Sequence, residues 1–173
     1  MMEIKEIDDS LRPQIREFVT DNWGSPVMIS RGKSHSIDRL PGFITMTNGQ
    51  ILGLITYHIE KKDCEIISLD SLQENCGIGT RLVERVVQTA KEKNCRRIWL
   101  ITSNDNIHAI RFYQKRGFDM VAVHVNAIVE ARAIKPEIPE IGNDGIPIRH
   151  EIEFEFNLSK QSNDRQESLM KDC

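Results

Sequence analysis

Paired cysteines are missing from this sequence. Cys64, Cys76, Cys95 and Cys173 stand at irregular intervals without a C-x-x-C arrangement, so neither a zinc site nor a disulfide framework is indicated. An excess of basic charge is missing too: 23 Lys plus Arg stand against 26 Asp plus Glu, for a formal net charge of −3. That balance argues against a polyanion-binding surface, and nucleic acid is not an expected partner. No apolar run approaches the ~20 residues that a membrane-spanning helix needs. The first nine residues alternate Ile4 and Ile7 with Glu3, Lys5, Glu6 and Asp8, unlike the basic start and apolar run of a signal peptide. A cytoplasmic protein with reduced thiols and no membrane partner is expected. The histidines His35, His58, His108, His124 and His150 show no metal-binding spacing such as H-E-x-x-H, so no metal is expected and none of them is assigned to catalysis.

What is present suits one folded core. The 173 residues include 39% hydrophobic and 28% charged side chains, near the composition of globular proteins that bury enough apolar area to offset chain entropy. Residues 1–158 are expected to form a single domain, and residues 159–173, with little apolar content and no period, a frayed tail.

Residues 3–7 read as a short strand. Asp9 or Ser10 can cap a helix that places Leu11, Ile15, Phe18 and Val19 on one face. Residues 24–41 read as loop with one possible strand. Residues 43–46 and 51–59 are apolar, β-branched runs separated by Asn48-Gly49, a hairpin-turn dipeptide, and residues 64–72 extend them into a meander. The period then changes: Ile78, Leu82, Val83, Val86, Val87 and Ala90 recur every three or four residues opposite Arg81, Glu84, Arg85, Gln88 and Lys91, which predicts an amphipathic helix. A buried strand over residues 97–101, a helix over 106–115 ended by Gly117, and a strand over 118–125 follow. Residues 126–135 could be helical. Residues 148–156 alternate strictly and predict a half-exposed last strand, with Ile148, His150, Ile152, Phe154 and Phe156 opposite Arg149, Glu151, Glu153 and Glu155.

Two segments carry chemistry. In Glu74-Asn75-Cys76-Gly77-Ile78-Gly79-Thr80 a strand runs through two glycines straight into the amphipathic helix. A helix start offers unpaired amides and a positive dipole end, and glycine lets an anion such as a diphosphate approach the backbone. The same glycines could serve only a tight strand-to-helix turn. Leu82 stands where a dinucleotide fingerprint needs its third glycine, and Val27 where a P-loop before Gly32-Lys33-Ser34 needs its first, so both of those readings fail. The second segment, one strand later, is Asn106-Ile107-His108-Ala109-Ile110-Arg111-Phe112-Tyr113-Gln114-Lys115-Arg116-Gly117-Phe118.

Together the two segments resemble the GNAT superfamily of N-acetyltransferases, whose pyrophosphate loop reads Gln or Arg, two residues, Gly, any residue, Gly or Ala. A later helix in that family carries Asn, two residues, Ala, then Tyr and Gly-Phe. The resemblance covers about residues 2–158. It implies an α+β fold in three layers, a twisted mixed β-sheet of about six or seven strands flanked by helices, with acetyl-CoA entering where two strands part. It implies that backbone groups of Leu69 and Ser71 pair with the pantetheine arm. Amides of Asn75, Cys76, Gly77, Ile78, Gly79 and Thr80 would hold the pyrophosphate. Asn106 would contact the arm, with Ala109 and Phe112 packed beside it. Tyr113 matches the tyrosine that protonates the departing thiolate, the Leu69 amide the oxyanion donor, and Glu65 the glutamate that some members use as base where others use water. The chain departs from the pattern at Glu74, where the family's Gln or Arg falls unless the register shifts to Gln73, and at Cys76, where a glycine or basic residue is common.

The implied activity is acetyl transfer from acetyl-CoA to a primary amine of a small molecule or protein by direct attack. The alternative is a non-catalytic acyl-CoA-binding or regulatory module. Trp23 falls where relatives build part of the acceptor pocket, the acidic excess after Ala127 could favour a cationic amine, and a homodimer is possible.

Overall fold

The computed structural model describes residues 3–73 and 76–159; the expected frayed tail, Ser159 apart, and Glu74, Asn75 and Cys173 lie outside them. Among the described residues nine strands and four α-helices follow in chain order: β1 (Ile4–Glu6), α1 (Arg12–Trp23), β2 (Val27–Ser30), β3 (Lys33–Ser36), β4 (Gly42–Thr47), β5 (Gln50–Glu60), β6 (Asp63–Ser71), α2 (Ile78–Glu92), β7 (Arg97–Ser103), α3 (Ile107–Gln114), β8 (Asp119–His124), α4 (Ala127–Ala131) and β9 (Glu151–Asn157). Seven strands form one mixed sheet in the order β1-β4-β5-β6-β7-β9-β8, and β2-β3 make a separate hairpin. The α+β expectation of a mixed sheet flanked by helices therefore holds.

Asn48 and Gly49 both take positive φ, 50° and 77°, as a two-residue hairpin turn between right-twisted strands demands. The α2 stripe of Ile78, Leu82, Val83, Val86 and Ala90 is buried against Phe43, Ile55, Ile66 and Ile98 on one face of the sheet. On the other face Ile15 and Val19 of α1 pack with Ile44, Leu54 and Ile67. Each helix thus removes its apolar stripe from water against one sheet face, which produces three layers.

The structure departs from the sequence reading in four places. Neither Asp9 nor Ser10 caps α1; Leu11 occupies that position without a side-chain cap, because Asp8 folds the preceding turn by accepting from the Ser10 amide at 2.8 Å while Asp9 pairs with Arg12. Residues read as loop form the β2–β3 hairpin, turned by Arg31 and Gly32 at positive φ. Helix α4 covers only Ala127–Ala131. The last strand is not half-exposed: β9 lies between β7 and β8, and its glutamates are covered by charge partners, with Glu151 on Arg31 and Glu153 and Glu155 on Arg97.

Candidate active site

The site begins where two strands part. β6 and β7 run parallel and in register from Asp63↔Arg97 to Ile66↔Leu100. Beyond that point β6 continues to Ser71 paired only with β5, and β7 to Ser103 paired only with β9. The Leu72 amide donates to the Leu52 carbonyl. By the alternation of antiparallel ladders, Leu54↔Asp70 is then the next hydrogen-bonded pair, and the backbone groups of Leu69 and Ser71 face the gap.

The gap opens into two adjoining compartments. One, of about 370 Å³, is lined by Asp70, Ser71, Gly77, Gly79, Thr80, Phe112 and Arg116, among others. The second, of about 280 Å³, lies between β6, β7, β2 and α4. Trp23, Leu69, Asn106, Ala109 and Tyr113 line both.

The start of α2 forms one wall of the first compartment. Gly77 caps the helix at φ 72°, a left-handed conformation that costs a residue with a Cβ roughly 1–2 kcal/mol. Gly79 serves proximity instead: a Cβ there would lie 3.2 Å from the Phe112 ring. α3 faces it, held by its cap, where Asn106 Oδ1 accepts from the Ala109 amide at 3.1 Å. The Asn106 side chain thus serves the helix start as well as lining both compartments.

Tyr113 is buried and packs edge-on against Phe112 and Phe118, with ring centroids 5.1 and 5.3 Å apart. Burial raises its phenol above the ordinary range, and the negative charge of Asp70 adds to that. Its hydroxyl has no hydrogen-bond partner among the described residues.

Two charged residues overlooked at the sequence level stand here. Asp70 accepts from Trp23 Nε1 at 2.8 Å through Oδ1, while its Oδ2 is buried without a partner; burial pushes the carboxyl up to about 6, against the opposing effect of the Trp23 bond. Arg116 lies over the Phe112 ring, 3.4 Å from its centroid, and donates from Nε and Nη2 to Thr80 Oγ1 at 3.0 and 2.6 Å. A guanidinium is thus fixed at the first turn of α2. Asp70, flanked by Leu69 and Ser71, offers one signal in the sequence, a carboxylate within an apolar strand.

A family model described as Acetyltransferase (GNAT) family matches residues 5–118. The chain belongs to the GNAT acetyltransferase family. It is 48% identical over 155 residues to the uncharacterized protein YdhI of Bacillus subtilis, covering 89% of this chain and 97% of that one. It is 48% identical over 139 residues to YxbD of the same organism, covering 80% and 87%. Among solved structures it resembles an IAA acetyltransferase from Bacillus cereus, with TM-score 0.70 and 21% identity over 91% of this chain and 100% of that one. It also resembles a Bacillus subtilis acetyltransferase in complex with CoA, with TM-score 0.64 and 18% identity over 91% and 99%.

In this GNAT protein, Leu69, Ser71, Gly77, Ile78, Gly79, Thr80, Asn106, Ala109, Phe112 and Tyr113 converge on the cleft. Cys76 is exposed on the loop. Glu65 stands apart. Its carboxylate is hydrogen-bonded by the Ser30 hydroxyl, and it lines a third cavity with Lys33, His58, Arg96 and Trp99. Five residues of strand separate it from Asp70, about 16 Å at ~3.3 Å per residue. Burial raises the Glu65 carboxyl, opposed by Ser30 and Lys33. Trp23 is 50% exposed and lines both compartments. No described helix is long and apolar enough to cross a membrane.

Proposed function

We propose that this chain transfers an acetyl group from acetyl-CoA to a primary amine by direct attack. The observation that carries the reading is the parting of β6 from β7 directly before the glycine-led start of α2, with Tyr113 lining both compartments that open there. A cofactor arm laid along β6 completes the ladder through the free backbone groups of Leu69 and Ser71. Its pyrophosphate meets the amides of Cys76, Gly77, Ile78, Gly79 and Thr80 and, in the loop outside the described residues, Asn75. Arg116 supplies the cation that the loop sequence lacks. Asn106, Ala109 and Phe112 flank the arm. The pairing supports acetyl-CoA as co-substrate.

In the chemical step an ammonium first loses a proton to a carboxylate of β6, Asp70 or Glu65. Asp70 is favoured because it lines the cleft. The neutral nitrogen attacks the thioester carbon, the carbonyl oxygen gathers charge toward the Leu69 amide, the C–N bond forms and the C–S bond breaks. Tyr113 hands its proton to the thiolate and regains one from the nitrogen as the amide forms. The products are the amide, CoA thiol and one proton released to solvent.

The test joins calorimetric titration with acetyl-CoA to a thiol-release assay with amines. Intact protein is expected to bind, Gly77→Glu to lose binding, and Tyr113→Phe to bind while its kcat falls at least tenfold. Unchanged rates in Tyr113→Phe would remove its role, and absence of acetyl-CoA binding would remove the whole reading. Binding without turnover on any amine would favour the non-catalytic acyl-CoA module.

A further inference from the structure

The second compartment is lined mostly by apolar side chains. Its walls include Met28 and Ile29 of β2, Leu100 and Ile101 of β7, and Ile128 and Ile148 of the segment joining β8 to β9. Two charged side chains reach the wall, and both are engaged. Glu151 is bonded by Arg31 at 3.0 Å, and Lys135 donates to the Val27 carbonyl at 2.7 Å. The roof is fastened. Arg132 donates to the carbonyls of Ile138, Pro139 and Ile148 at 3.1, 2.6 and 2.6 Å, and buried Asp105 accepts from the Asn143 amide at 3.0 Å.

These bonds hold the segment joining β8 to β9 as one side of the chamber. An unmet carboxylate oxygen stands in the adjoining compartment, where Asp70 Oδ2 is buried without a partner among the described residues and Oδ1 is fixed by Trp23, a residue that lines both compartments. An unpaired buried carboxylate oxygen is costly until a cation or donor meets it. A volume of about 280 Å³ lies near the lower end of the roughly 300–1,000 Å³ usual for small-molecule sites.

Resting on the acyl-transfer reading above, we propose that the acceptor is a compact monoamine, its apolar body filling this chamber and its ammonium group pairing with Asp70. A polyamine or a protein lysine does not fit. A second cation would have to be desolvated against Ile and Leu side chains, and so would the backbone amides of a peptide.

The test uses the full chain, alone and saturated with CoA, titrated with 2-phenylethylamine, hexylamine, spermidine and Nα-acetyl-lysine amide. Thiol release from acetyl-CoA is followed in parallel. The two apolar amines are expected to show kcat/KM at least tenfold above the two polar ones. Asp70→Asn is expected to lower it at least tenfold with acetyl-CoA affinity retained. Ala131→Phe, which fills the chamber, should abolish amine binding and leave acetyl-CoA binding intact; Met28→Trp, on the half-buried β2, serves if that variant does not fold.

Equal or better use of spermidine or the lysine amide would overturn the inference and leave acetyl transfer standing. So would unchanged turnover in both chamber variants, or hexanoyl-CoA binding more than tenfold tighter than acetyl-CoA and excluding the amine. Apolar amines that bind a protein unable to bind acetyl-CoA would support the chamber and defeat the transfer reading. Binding of neither would defeat both.

Discussion

A carboxylate with one oxygen held and the other unmet makes Asp70 a source of pH dependence. Its folded pKa is raised to about 6 by burial, from an ordinary 3.8, so the folded state binds its proton more tightly than the unfolded chain does. The stabilising contribution is complete below pH ~4 and is lost as pH rises through ~6. Asp70→Asn cannot ionise. Its stability relative to the parent should therefore increase by about 2 kcal/mol between pH 4 and pH 8, after a discount for the part-exposed side chain, as read by urea unfolding at the two pH values. An unchanged difference would mean that the Asp70 charge is solvated. Arg116 invites a second substitution. Removing a guanidinium that is fixed on Thr80 and the Phe112 ring should weaken acetyl-CoA binding about tenfold, the size of one charge-assisted contact. Arg116→Lys should recover little of it, since an ammonium cannot both stack and fork. Calorimetry on the two variants checks this.

Among the elements, α2 carries the greatest functional weight, because its first turn faces the cleft and its stripe fills the core. Its seat depends on Gly53 of β5. A Cβ there would lie 2.5 Å from Ile78 Cγ2 and 3.0 Å from Leu82 Cδ1, so Gly53→Ala must lift the helix start or force its rotamers. Overpacking of this kind costs about 1–3 kcal/mol. The shift falls on the turn that presents the glycine amides, so the variant should lose acetyl-CoA affinity as well as stability. Thermal unfolding and titration on the same sample would reveal both; a stability loss alone would mean that the helix start does not move.

For the molecule as a whole, the sequence was readable where a pattern is local. The Asn48-Gly49 hairpin, the three-four repeat of α2 and the Asn106 start of α3 all stand where spacing put them. The two glycine-bearing segments together gave the family before any coordinate. Non-local pairing hid the rest. The β2–β3 hairpin lacks an apolar alternation because Lys33 and Ser34 face solvent, and the glutamates of β9 read as a solvated face until Arg97 and Arg31 are brought over them from distant positions. Asp70 and Arg116 take their meaning from neighbours 47 and 36 residues away, and the surroundings of Glu65 are set by Ser30, 35 residues away.

The splay between β6 and β7 has one more consequence, for motion. From Ile67 onward the sheet is a ladder with its rungs on one side only, and a ligand lying along that edge supplies the missing ones. Binding is then the last step of folding. Acetyl-CoA at one hundred times its Kd should add about 2.7 kcal/mol to unfolding. In hydrogen–deuterium exchange the added protection should gather at the amides of Leu69 and Ser71 and the first turn of α2, with β1 and β4 at the far edge unchanged. Uniform slowing across the sheet would mean that the ligand stiffens the protein as a whole and leaves the ladder unfinished.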